Sequence, residues 1–64
     1  MSDPVEKKLC DAAEKGRASV VSSLLRDHPE INVNWTNEDE WTALYIASSN
    51  GRAEVVKLLL TSIL

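Results

Sequence analysis

Two side chains in this 64-residue chain could carry covalent or acid–base chemistry, the thiol of Cys10 and the imidazole of His28. A nucleophile needs a base within hydrogen-bond reach, and the base needs a third group to orient it. Neither residue has such a companion in the sequence. His28 precedes Pro29 and reads as a loop residue, whereas Cys10 follows Leu9 on a helical pattern and reads as a packing residue. The Cys, His, Asp and Glu positions match no metal-ligand spacing, and no glycine-rich loop could cradle a phosphate. No enzyme activity, metal or cofactor is therefore expected. The run from Thr36 through Asn37, Glu38, Asp39 and Glu40 to Trp41 is different in kind. Carboxylates beside a large amphipathic ring can steer and anchor a protein partner, although a charge run at a turn can equally be a solvated tip.

Composition narrows the partner. The chain is 44% hydrophobic and 27% charged with a formal net charge of −3, the balance of a globular domain. Binding to nucleic acid or to an anionic membrane surface is driven by clustered Lys and Arg, and here the basic residues are few and dispersed. No apolar run approaches membrane-spanning length, and Ser2, Asp3 and Pro4 stand where a signal peptide would begin. A single cysteine excludes an internal disulfide and fits a reducing compartment, the cytoplasm or the nucleus. Asn34, Trp35 and Thr36 spell a glycosylation acceptor, which without a secretory signal is a coincidence of spelling. Ser62, Ile63 and Leu64 likewise match a terminal ligand pattern of PDZ domains too short to be specific.

The elements that must position these residues repeat themselves. Leu9, Ala12, Gly16, Arg17, Ala18, Val20, Val21, Leu24 and Leu25 recur thirty-five positions later as Leu44, Ala47, Gly51, Arg52, Ala53, Val55, Val56, Leu59 and Leu60. Asp3, Pro4 and Glu6 read as a capped helix start, with Val5, Leu9, Ala12 and Ala13 on one stripe and Gly16 as its stop. A second helix is expected from about Ala18 to Asp27, with Val20, Val21, Leu24 and Leu25 inward. His28 and Pro29 break the pattern. The alternation Ile31 to Trp35 predicts a short extended arm and Asn37 to Glu40 a polar turn, which together make a hairpin-like loop. Thr42 caps a third helix ending at Asn50 and Gly51, and a fourth starts at Ala53.

This order of parts resembles the ankyrin repeat. Thr42, Ala43, Leu44, Tyr45, Ile46 and Ala47 stand where that family has Thr-Pro-Leu-His-x-Ala. Asn50, Gly51, Val55, Val56, Leu58, Leu59 and Leu60 match its second helix, and Gly16, Val20, Val21, Leu24, Leu25, Val33 and Asn34 match the preceding repeat. The resemblance implies one all-α domain over residues 1–64, with a first, capping-type repeat at about 4–34 and a second, truncated repeat at about 35–64. It also implies a non-catalytic module that binds another protein through the loop tip and first-helix surface. By position, that surface is Thr36, Asn37, Glu38, Asp39, Glu40, Trp41, Tyr45, Ser48 and Ser49. Trp41 is the expected anchor, or else it packs on Tyr45 or on a next hairpin; Trp35 is expected to pack. Three departures stand out: a period of thirty-five instead of about thirty-three, Glu40 where the family has glycine, and Tyr45 where it has histidine.

The last helix sets up an alternative. Val55, Val56, Leu58, Leu59, Leu60, Ile63 and Leu64 cover roughly two-thirds of its circumference, so it expects neighbours on both sides. A repeat at the end of an array normally has a polar outer face. The face formed by Leu58, Leu59, Leu60, Ile63 and Leu64 is accordingly expected to be covered, by a second copy in an isologous dimer or by adjoining repeats of a longer array.

Overall fold

A computed structural model describes residues 3–63. It contains four helices: α1 (Val5–Lys15), α2 (Ala18–Asp27), α3 (Ala43–Ser49) and α4 (Ala53–Ile63). No strand occurs among the described residues. Helix α1 packs on α2 and α3 on α4, forming two helix–turn–helix units, and the units stack α1 on α3 and α2 on α4. The core lies at this junction. Leu9, Cys10, Ala12 and Ala13 from α1 meet Val21 from α2, Ala43, Ile46 and Ala47 from α3, and Val55 and Leu59 from α4.

Both turns have the same construction. Gly16 and Gly51 adopt positive φ of 70° and 67°, the left-handed conformation that costs other residues about 1–2 kcal/mol. Arg17 then donates its backbone N–H to the Ala12 carbonyl at 2.9 Å, and Arg52 donates to Ala47 at 2.9 Å. The side chain of Arg52 adds a link between the repeats. Its Nε donates to the Glu14 carbonyl at 3.1 Å, satisfying one of the carbonyls left open at the end of α1. To do so it lies across Gly16, so close that a Cβ there would stand 2.7 Å from Arg52 Cδ. A side chain at Gly16 would meet the cost of its φ and would also have to push the flexible Arg52 side chain aside.

The start of α1 departs from the sequence reading. Pro4 takes the cap position with extended backbone, and no side chain caps the helix. Asp3 instead faces Lys7 at 3.7 Å on the surface. Glu6 accepts the Asn32 backbone N–H at 3.0 Å, tying the start of α1 to the long loop. This bond to the charged carboxylate holds the Glu6 pKa below its ordinary value of 4.5. The expected extended arm is also broken, because Asn32 forms a turn: its carbonyl accepts from Trp35 N–H at 3.0 Å and its side-chain oxygen from Asn34 N–H at 3.0 Å. Val20, expected inward, is 40% exposed, because among the described residues no helix packs on that side of α2. Trp35 is half-buried against the core, as expected.

Two outcomes follow from these contacts. Gly16→Ala should lower stability more than Gly51→Ala, by about 1 kcal/mol, because only the first also displaces a hydrogen-bonded Arg52. Urea unfolding in an Arg52→Ala background should remove the difference; equal costs in both backgrounds would show that the arginine contributes nothing. For Glu6, a depressed folded-state pKa means stability that is present above about 4.5 and is lost as pH falls through the lower folded value. Glu6→Gln should therefore show a shallower loss of urea midpoint between neutral pH and about pH 3 than the wild type does.

Candidate protein-binding surface

The loop tip is built around one amide. Asn37 Oδ1 accepts the backbone N–H groups of Asp39 at 2.9 Å and Trp41 at 3.0 Å. Its backbone closes the same turn, donating to the Trp41 carbonyl at 3.0 Å and accepting from Glu40 N–H at 2.9 Å. Asn and Asp favour this role because a short side chain can mimic a backbone turn. Glu40 completes the reversal with a φ of 66°, the left-handed conformation expected for the family's glycine position. Asn37 thereby acts as the frame of the tip, and Thr36, Glu38, Asp39 and Glu40 are left exposed around it.

From this frame the chain enters α3, where Thr42 Oγ1 accepts the Tyr45 N–H at 3.1 Å. That cap sets the phase of the helix and brings Tyr45 under Trp41. The two rings pack edge to face, with centroids 5.1 Å apart and planes at 61°. Both remain open to solvent, Trp41 at 43% and Tyr45 at 53%. The two readings of Trp41 are therefore compatible, since the ring packs on Tyr45 and still presents a surface. Ser48 and Ser49 are exposed toward the end of the same helix.

A concave groove of about 580 Å³ runs between α1 and the loop. Thr36, Asn37, Glu38 and Asp39 form one wall, and Cys10, Ile46 and Trp35 contribute apolar surface. The opposite wall was not apparent from the family positions: Lys7, Asp11 and Glu14 of α1. Their spacing of four and three residues is the signal that could have found them, because it places all three on one helical stripe. Glu40, Trp41, Tyr45, Ser48 and Ser49 lie outside the groove's lining, so the expected surface divides into a groove wall and an aromatic patch. The groove is electronegative. Asp3, Asp11, Glu14, Glu38 and Asp39 line it with Lys7 as the cation among them, and Lys7 already faces Asp3.

The two residues with chemical potential are kept apart in role. Burial raises the Cys10 pKa, which keeps the thiol protonated and poorly nucleophilic. His28 Nδ1 lies 3.1 Å from Glu30 on the surface. Among the described residues no hydrogen bond links these two side chains, and no group of three His, Cys, Asp or Glu side chains is placed to hold a metal. No described helix is long and apolar enough to cross a membrane.

The expected apolar face at the C-terminus is partly redistributed. Leu59 is 1% exposed and belongs to the core between the repeats, so it cannot meet another chain. Leu58 is half-buried against that core. Leu60 is 48% exposed. Leu64 and the side chain of Ile63 lie outside the described residues.

Comparison with known proteins agrees with this architecture. The model of a family described as ankyrin repeats (many copies) matches residues 9–60. The chain is 40% identical over 58 residues to a probable E3 ubiquitin-protein ligase, XBOS31, of Oryza sativa subsp. japonica, covering 91% of this chain and 13% of that protein. It is 39% identical over 54 residues to cortactin-binding protein 2 of Oryctolagus cuniculus, covering 84% of this chain and 3% of that protein. The chain thus spans a small fraction of the length of these relatives. No solved structure is a significant match. The repeated helix pairs, the shared left-handed glycine turns and the match over residues 9–60 place this chain in the ankyrin-repeat family, whose fold is a non-catalytic framework for protein–protein interaction.

Proposed function

We propose that this chain binds a protein partner through the rigid loop tip and the exposed surface of the first helix of each repeat, the inner helices α1 and α3 (α2 and α4 being the outer pair), with Trp41 as anchor. The observation that carries this reading is the Trp41–Tyr45 pair, two rings packed edge to face and left exposed beside a tip locked by Asn37. Aromatic rings that keep their geometry without a partner lose little conformational freedom on binding, which is why such groups dominate interfaces. The carboxylates at Glu38, Asp39 and Glu40 add selection by charge, favouring basic partners and speeding their encounter. A free, buried Cys10 supports a reducing compartment, the cytoplasm or the nucleus. Neither the ligase activity nor the cortactin binding in the relatives' names is carried over, because this chain matches so little of either protein.

A second reading has its own support. Leu60 at the outer edge of α4 and Tyr45 on α3 leave an apolar face open beyond the second repeat, suited to self-association or to adjoining repeats.

Selection of binders from a displayed random peptide library, with the folded chain as bait, tests the first reading. Enriched peptides should carry Lys or Arg and should lose at least about tenfold in affinity on Trp41→Ala, the scale of an interface hot spot. Asn37→Ala should weaken them as well, by loosening the tip. Peptides that bind the Trp41→Ala variant as tightly as the wild type, with an unchanged circular dichroism spectrum, would remove Trp41 from the interface.

A further inference from the structure

The two halves of the chain are near copies, so residues thirty-five positions apart occupy the same local helix–turn–helix surroundings. Where such a pair differs in burial, the neighbouring repeat is the cause. Val55 and Leu59 are sealed, whereas Val20 and Leu24, their counterparts, are exposed and half-buried. These positions mark the side of a repeat that receives the one before it. Conversely, Val21 is sealed and Leu25 half-buried, while Val56 is half-buried and Leu60 exposed. Those positions mark the side that receives the one after it. The chain therefore displays on its two ends the complementary faces of an interface whose assembled form lies in its middle.

The turn makes the correspondence specific. Inside the chain, Arg52 crosses Gly16 and donates to the Glu14 carbonyl. At the counterpart turn Gly51 has no atom within 4 Å above it, and Ser49 stands where Glu14 did. Arg17, the counterpart of Arg52, is exposed and has no side-chain partner among the described residues. One end thus carries the arginine and the other carries the space it fills.

We propose that this chain stacks head to tail on a second copy of itself, repeating its internal interface. Val56 and Leu60 of one copy seat against Val20 and Leu24 of the next, at a shallow hollow of about 260 Å³ whose apolar floor is Ala12, Val20 and Leu24 and whose charged rim is Lys8, Asp11, Lys15 and Arg17. Arg17 of the second copy crosses Gly51 of the first. The inner-helix half differs from the template on both sides at once. Lys8 and Asp11 replace Ala43 and Ile46 on the receiving face, and Tyr45 and Ser48 replace Cys10 and Ala13 on the presenting face. Charged groups then meet hydroxyls instead of hydrocarbon, which leaves them hydrogen-bond partners. Because the two faces are different, the contact is heterologous and open-ended, in contrast to an isologous dimer. The proposal rests on the self-association reading and gives it a geometry; the loop tip from Thr36 to Glu40 stays outside it.

Sedimentation of the 64-residue chain from about 10 µM to about 1 mM tests it. The mass should rise with concentration and pass the dimer. Val20→Asp and Leu60→Asp should each stay monomeric, and an equimolar mixture should form a dimer and stop there, because each variant keeps the face the other has lost. Arg17→Glu paired with Ser48→Arg repeats this complementation on exposed residues whose change leaves the core intact. A wild type that is monomeric throughout overturns both the proposal and the self-association reading. A dimer that survives Val20→Asp and Arg17→Glu but not Leu60→Asp overturns the head-to-tail geometry alone, since it shows pairing through the α4 face.

Discussion

Val21, Val55 and Leu59 are sealed between the two outer helices, and Ala13, Ala43 and Ala47 between the two inner ones. Each large side chain withdrawn from water in this way contributes about 1.5–3 kcal/mol. Neither helix pair could provide that burial alone, because these residues lie on the sides that face the other pair. Helix α3, with seven residues, is too short to persist in water without it. The contact between repeats is therefore the condition under which each repeat is folded at all. Small residues matter here as much as large ones. Ala13 and Ala47 leave the inner helices close enough for the outer pair to meet, so the groove and the tip inherit their geometry from this junction.

The Arg52 side chain extends the same dependence to the turns. It joins the second repeat to the last carbonyls of α1, and it can do so because Gly16 has no side chain in its path. A hydrogen bond of this kind contributes on the order of 1 kcal/mol, which is a large part of the stability of so small a domain. On the other side of the junction, Glu6 ties α1 to Asn32 and fixes where the long loop leaves the first repeat. The loop then has little freedom before it reaches Asn37. Position is thus passed from the core to the tip through three polar contacts: the arginine, the glutamate and the asparagine.

The sequence made the helices legible because their signals are local and doubled. The two glycine turns, the Thr42 cap and the second helix from Ala18 to Asp27 each follow from residues adjacent in the chain. The left-handed conformation at Glu40 was also legible, from the position it occupies in the repeat. What could not be read were contacts that depend on two distant segments. Glu6 looked like part of a helix cap because its neighbours Asp3 and Pro4 fit that pattern, and only the folded chain brings Asn32 to its carboxylate. Val20 and Leu59 were misjudged for a related reason. Helical periodicity gives the apolar stripe but does not say which part of it has a neighbour. In a repeat protein that neighbour is decided by stacking order, which turns identical residues into a sealed core position in one copy and an exposed one in the other.

That asymmetry also explains why the aromatic pair sits where it does. Tyr45 is the counterpart of Cys10, which is buried at the junction between the two repeats, whereas Tyr45 is 53% exposed. Beyond α3 the same position is open, and Tyr45 has room to support Trp41 from below. Among the described residues no further helix packs on α3 at Tyr45, and the aromatic patch stays open there. The two proposed contacts, recognition at Trp41 and stacking through Val56 and Leu60, draw on different elements of the second repeat, the tip with α3 for the first and α4 for the second.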